Sequence, residues 1–161
     1  MNTKYFNEIV DQYSDNVYGY LLKNLREAEA SKDIVQESFA RLWKNKDSID
    51  EKKAKSYLFT TAYHLLVDYT RKRKREKIIE VSDERNHFHT DSYSDLSEIL
   101  NEALDKLPEK YKQLVLLRDY EGYSYKEIGE ICKLSESQVK VYIFRSRKML
   151  KEYLGKIENL I

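Results

Sequence analysis

The sequence predicts an all-α protein of two small helical domains, an N-terminal helical bundle and a C-terminal helix-turn-helix domain, joined by an acidic flexible linker. Breakers are scarce: four Gly and one Pro in 161 residues, too few for a β-rich chain full of tight turns. The strong helix formers Ala, Leu, Glu, Lys and Gln are plentiful. Apolar residues recur at spacings of three and four in both halves, and that periodicity lapses between residues 80 and 98. The expected division is residues 1–78, a linker at 79–97 and residues 98–161. A hydrophobic content of 41% supports a packed core, and 35% charged residues imply extensive solvated surface.

The first half reads as four helical segments. Phe6, Ile9, Val10, Tyr13, Val17 and Leu21 make one apolar stripe. In SKDIVQESFARLWKN, residues 31–45, Val35, Phe39 and Leu42 align, flanked by Ile34 and Trp43. Ser31 is the expected N-cap of that helix, and Asp33 suits its positive end. After the polar stretch KNKDSIDEKKAK, the segment SYLFTTAYHLLVDYTRKRKR repeats Leu58, Ala62, Leu65 and Tyr69 on one face. It is expected to run unbroken into the basic cluster. Short loops between such helices imply a small bundle.

Between residues 80 and 98 the chain turns polar and acidic. Glu80, Asp83, Glu84, Asp91, Asp95 and Glu98 face only Arg85, the composition of a tether. Beyond it, Ile99, Leu100, Ala103, Leu104 and Leu107 form a helix stopped by Pro108. Tyr111, Leu114, Val115 and Tyr120 mark another, ending near Gly122. A short helix, a tight turn and a long basic helix follow, with Tyr125, Ile128, Ile131 and Leu134 packed inward. Ser135 and Gln138 make a capping box at the start of the long helix, and Val139, Ile143 and Leu150 continue its buried side.

Several function classes drop out. No apolar run approaches the roughly 20 residues that span a bilayer, and the N-terminus lacks a signal-peptide core, so a cytoplasmic location without membrane insertion is expected. The single cysteine, Cys132, precludes an internal disulfide, and its apolar neighbours suggest a buried thiol. No catalytic constellation and no cofactor motif is present. A zinc site from His64, His87, His89 and Cys132 would need ligands from unrelated segments.

The remaining signals point to nucleic acid. The run DYTRKRKREK, residues 68–77, sets five consecutive cations in a chain of formal charge only +1. It follows Tyr57, Phe59, Thr60, Tyr63 and His64, not all of which fit the core face. Stacking surfaces beside phosphate-neutralising charge suit single-stranded or locally opened DNA. The competing expectation is that Tyr57, Phe59 and Tyr63 pack against the first two helices. In the helix-turn-helix, Glu136, Ser137, Gln138, Lys140 and Val141 open the second helix, the part that meets base edges in a major groove. Gln138 suits a bidentate pair with adenine and Lys140 a guanine or phosphate. Arg145, Arg147, Lys148 and Lys151 are placed for phosphates.

DIVQESFARLWKN, then SYLFTTAYHLLVDYTRKRKR, then LDKLPEKYKQLVLLRDYEGYSYKEIGEICKLSESQVKVYIFRSRKML occur in that order. Together they resemble an extracytoplasmic-function sigma factor of the sigma-70 family, over nearly the whole chain. The resemblance implies that Asp33, Gln36, Glu37, Arg41 and Trp43 dock on the clamp helices of the RNA polymerase β′ subunit. It implies recognition and melting of a promoter −10 element by Lys52, Lys55, Tyr57, Thr60, Tyr63, His64, Arg71, Lys72 and Arg73. The −35 element would be read by Tyr125, Ser135, Glu136, Ser137, Gln138, Lys140, Val141, Phe144, Arg145 and Arg147, in a unit that also touches the β flap. An anti-sigma factor is a further implied partner. Two residues depart from the family pattern: His64 where Asn is common, and Lys133 where the turn usually has Gly. The alternatives are a dimeric helix-turn-helix regulator on a palindromic operator, which leaves residues 31–44 and the basic run without roles, and a protein-binding helical adaptor.

Overall fold

The structure, a computed structural model, describes residues 1–79 and 95–158. Among them every regular element is a helix and none a strand, as the composition predicts. The chain divides into two compact units, residues 1–86 and 87–161, each with its own core.

In the first unit α1 (Thr3–Leu25), α2 (Ala28–Lys44) and α3 (Ala54–Ile79) pack pairwise. Val17, Leu21, Leu42, Leu58, Phe59 and Ala62 are fully buried between them. Asn2 caps α1 by accepting the Tyr5 N–H at 2.8 Å. Arg26 ends the helix in the left-handed region (φ 58°), its N–H on the Leu22 carbonyl at 2.7 Å. Because that one residue reverses the chain, α2 begins at once, at the strong helix formers Ala28 and Ala30. Ser31, expected as the N-cap, is therefore one turn inside the helix and fully buried, its hydroxyl donating to the Glu27 carbonyl at 2.7 Å. The first half holds three α-helices rather than four segments. The polar stretch after α2 forms two single 3-10 turns, Lys46–Ser48 and Glu51–Lys53. There Ser48 donates to the Asn45 carbonyl at 3.0 Å, and Asp50 accepts the Lys52 N–H at 3.2 Å. Such local bonds compete with helix propagation.

α3 runs unbroken through the basic cluster, as expected. Its inward stripe is Ala54, Leu58, Ala62, Leu66 and Thr70, each four residues from the last, with Phe59 and Tyr63 beside it. Leu65 and Tyr69, expected on that stripe, are half-buried. Being gripped by both α1 and α2 rotates the buried sector toward Leu66.

The second unit comprises α4 (Asp95–Asp105), α5 (Glu109–Asp119), α6 (Tyr125–Cys132) and α7 (Glu136–Glu158). Ile79 belongs to α3 and residues 95–97 to α4, so both edges of the expected linker are helical; the rest of it, residues 80–94, lies outside the described residues. Ala103, Leu104, Leu114–Leu117, Ile128, Ile131, Val139 and Ile143 form the core, and Cys132 is buried with them. The capping box at Ser135 and Gln138 is present, with reciprocal bonds of 2.9 and 3.1 Å. A second box, Ser124 with Glu127, starts α6; its Ser-x-x-Glu signature stands in the sequence and was passed over.

Candidate nucleic-acid interfaces and a polar helix face

On α2, Asp33, Gln36, Glu37, Arg41 and Trp43 are all exposed. Their spacing sets Asp33, Gln36 and Trp43 away from the buried Ile34, Ser38 and Leu42, with Glu37 and Arg41 along the flank beside Ile34. Arg41 Nε donates to Glu37 at 2.9 Å, one turn away. Trp43 is 39% exposed. Phe6 of α1 meets it edge-on at 4.9 Å, and the Lys46 ammonium lies 3.4 Å from its ring centroid. An indole backed by an aromatic and covered by a cation has a fixed orientation and a partly open face.

α3 carries a second surface. Tyr57, Thr60, His64, Asp68, Arg71 and Arg75, at spacings of three and four, line the side opposite the core stripe. Tyr57, Thr60 and His64 are half-buried and the rest exposed. Asn45 Nδ2 donates to the Tyr57 hydroxyl at 3.1 Å, which ties the ring to the end of α2. His64 lies edge-on to Tyr63 at 5.4 Å. Lys52 is exposed on the second 3-10 turn, and Lys55 is half-buried with its ammonium 6.0 Å from the Tyr13 ring.

Two of the expected members of this surface belong elsewhere. Tyr63, 2% exposed, lies in the core with Phe59 because both sit on the side that α1 and α2 cover. Arg73 follows Leu66 and Thr70 at the next inward position, and its guanidinium is bonded to the Glu27 carboxylate. The cation run therefore splits by helical phase: Arg73 turns inward, while Arg71, Lys72, Lys74 and Arg75 are exposed. Arg71 also bonds Asp68 at 2.9 Å. Glu27 was missed in the sequence; the signal lay in the phase of Arg73 relative to Ala62, Leu66 and Thr70.

The third surface is the first half of α7. Ser135, Glu136, Ser137, Gln138, Lys140, Val141, Phe144, Arg145 and Arg147 are all exposed. Ser137, Val141, Phe144 and Lys148 share one face opposite the core residues Val139 and Ile143. Phe144, 70% exposed, and Val141, 46% exposed, set an apolar strip among cations. Three expected contacts are already engaged. Gln138 Oε1 accepts the Ser135 N–H, so capping and a bidentate adenine pair compete for one oxygen. Arg147 grips Asp119 of α5 through two bonds of 3.2 and 2.5 Å, which hold its guanidinium more firmly protonated than usual. Tyr125 is half-buried, with Arg118 4.5 Å and Lys140 5.8 Å from its ring centroid. Asp119 was not singled out in the sequence either, because its partner lies 28 residues away.

Among the described residues no group of three or more His, Cys, Asp or Glu could hold a metal ion; His87 and His89 lie outside them. Among the same residues no helix is long and apolar enough to cross a membrane.

Residues 9–76 match the sigma-70 region 2 family and residues 97–150 the sigma-70 region 4 family. The chain is 30% identical over 151 residues to the ECF RNA polymerase sigma factor SigM of Bacillus subtilis (strain 168), covering 89% of this chain and 91% of that one. It is 30% identical over 165 residues to SigW of the same strain, covering 92% and 88%. Among solved structures, the sigma factor RpoE in complex with the anti-sigma factor NepR from Bartonella quintana superposes with a TM-score of 0.76 at 22% identity, covering 93% of this chain and 96% of that chain. CnrH in complex with the cytosolic domain of CnrY gives 0.73 at 20% identity, covering 96% and 90%.

Proposed function

Because this chain belongs to the ECF RNA polymerase sigma factors of the sigma-70 family, we infer that it binds core RNA polymerase and directs promoter-specific initiation by recognising −10 and −35 elements. It makes no covalent bond itself. It supplies promoter affinity and duplex opening to the enzyme that makes RNA, in the cytoplasm. The observation that carries this reading is the ordered match of region 2 to the first unit and region 4 to the second in one short chain.

The surfaces take roles accordingly. The exposed side of α2, with Asp33, Gln36, Glu37, Arg41 and the oriented Trp43, docks on the β′ clamp helices. An amphipathic indole held by Phe6 and Lys46 suits the centre of such an interface. The stripe Tyr57, Thr60, His64, Arg71 and Arg75, with Lys52, Lys55 and Lys72, meets the −10 element. Its aromatic half suits unstacked bases and its cationic half the phosphates beside them. Tyr63 and Arg73 support that stripe from behind. In the second unit, the start of α7 enters the −35 major groove, with Val141 and Phe144 facing apolar base edges such as thymine methyls. Region 4 also touches the β flap. A protein inhibitor that covers these surfaces, an anti-sigma factor, is the regulation we propose.

Run-off transcription with purified bacterial core polymerase and fragmented genomic DNA tests the reading. Discrete transcripts that appear only with this protein, sharing two upstream elements, are expected. No transcripts and no co-elution with core polymerase would overturn it, and a palindromic footprint without polymerase would favour the operator-binding alternative.

A further inference from the structure

The cation run on α3 projects beyond the core. Past the buried Thr70, every side chain from Arg71 through Lys77 is exposed except Arg73. A helix end without packing frays, and frayed cations meet phosphates only after being ordered again. One feature opposes fraying here. Glu27, in the two-residue joint between α1 and α2, accepts the Tyr69 hydroxyl on one carboxylate oxygen at 3.1 Å and the Arg73 guanidinium on the other. The Arg73 guanidinium carbon lies 5.8 Å from the Tyr69 ring centroid, so the three groups form one closed node. Arg73 is 21% exposed and Glu27 41%. These contacts bridge 42 and 46 residues of sequence and fasten the basic end of α3 to the joint between α1 and α2.

We propose that Glu27 is a positioning residue for promoter binding: through Tyr69 and Arg73 it locks the basic extension of α3 in helical form and fixes where Arg71, Lys72 and Arg75 point. Electrostatics alone predicts the opposite role. An acidic residue beside a cation run lowers the local positive potential, so removing its charge would tighten DNA binding. A clamp makes removal weaken binding, because the ordering that Glu27 provides in advance must then be supplied at the moment of binding. The two accounts differ in sign. Arg73, in turn, acts through Glu27 rather than on DNA, so the two residues behave as one unit.

This inference rests on the promoter-binding reading, and its test separates the two. Holoenzyme reconstituted from core polymerase and the full chain is titrated with a forked promoter probe whose −10 non-template strand is unpaired. The variants are Glu27→Gln, Arg73→Met and the double substitution. Each single variant is expected to weaken binding by about three- to tenfold, and the double by no more than about twofold beyond the weaker single, as coupled residues require. Tighter binding by Glu27→Gln overturns the clamp, and so does a double variant whose loss is the product of the singles, which would place Arg73 on DNA. Amide exchange on the full chain without DNA supplies the second arm. In Glu27→Gln, residues 71–77 are expected to exchange roughly tenfold faster while residues 58–66 are unchanged. Unchanged exchange at 71–77 overturns the proposal. If wild-type holoenzyme ignores the probe altogether, the promoter reading fails, and the exchange arm still decides the clamp.

Discussion

Gly129 and Lys133 together set the turn between α6 and α7. Lys133 adopts the left-handed region (φ 57°, ψ 49°) that a glycine would occupy without strain, and its N–H caps the Gly129 carbonyl. Holding a non-glycine residue in that conformation costs about 1 kcal/mol. The irreplaceable residue is Gly129. A Cβ there would stand 2.6 Å from the Leu134 carbonyl oxygen, a backbone atom. Gly129→Ala is expected to cost about 2–4 kcal/mol, read from denaturant unfolding followed by amide resonances of α6 and α7; a loss within about 0.5 kcal/mol would contradict it. Tyr69 gives a test in pH. Burial, then the Glu27 carboxylate, raise its phenol above the ordinary value of 10.0. A group raised on folding contributes stability that is fully present below its unfolded value and lost as pH climbs through the folded one. Wild type is therefore expected to exceed Tyr69→Phe by about 1 kcal/mol at neutral pH, with the difference shrinking above pH 10 as the phenol ionises. A gap in urea midpoint that stays constant to pH 11 would show that the hydroxyl does not report on this node.

At the scale of the element, each functional helix has one side committed to the core and the other left to the surface. On α7 that division isolates Phe144. Since its ring is 70% exposed, Phe144→Ala is expected to change stability by less than about 0.5 kcal/mol while weakening polymerase-dependent binding to the −35 duplex and relaxing base preference there. Loss of stability comparable to the loss of binding would mean that Phe144 supports the fold instead. Periodicity made α1, α2, α3 and α7 legible in the sequence, because a stripe of apolar residues needs only local spacing to be seen. It located α3 through the cation run and the cap of α7 at Ser135. What it could not give was the phase of α3 to within one residue. The difference between Leu65 and Leu66 at the centre of the stripe depends on two neighbouring helices at once. That single step decides which aromatic is exposed and which is buried, so the sequence left both expectations open for Tyr63, and the structure puts it in the core. Polar partners were the other loss. Glu27 with Arg73 and Asp119 with Arg147 are separated by 46 and 28 residues, and no spacing rule connects them. Ser31 failed for a local reason, since the left-handed Arg26 moved the helix start one turn earlier than any cap signal suggested.

For the whole molecule, two units with separate cores each carry one DNA surface and share a single chain. Exposed cations on α3 and α7 favour phosphates in a salt-dependent, sequence-independent way. On the proposed reading, specificity is expected when polymerase holds both units at a set separation, so that the second contact is made at high effective concentration. If residues 80–94 serve only to connect them, their length matters weakly, because closure entropy grows only with the logarithm of length. Doubling that segment with Gly and Ser is expected to cost about 0.6 kcal/mol, roughly a threefold drop in promoter occupancy by holoenzyme, with the same transcription start and the same preference at both elements. Run-off yield and start-site mapping on one promoter measure both quantities. A loss of a hundredfold or a shifted start would mean that the segment itself contacts polymerase or DNA, and the acidic run Glu80, Asp83, Glu84 and Asp91 would become the first place to substitute. Without polymerase, both versions of the chain are expected to bind the duplex promoter equally poorly, since nothing then fixes the spacing that the connection has to span.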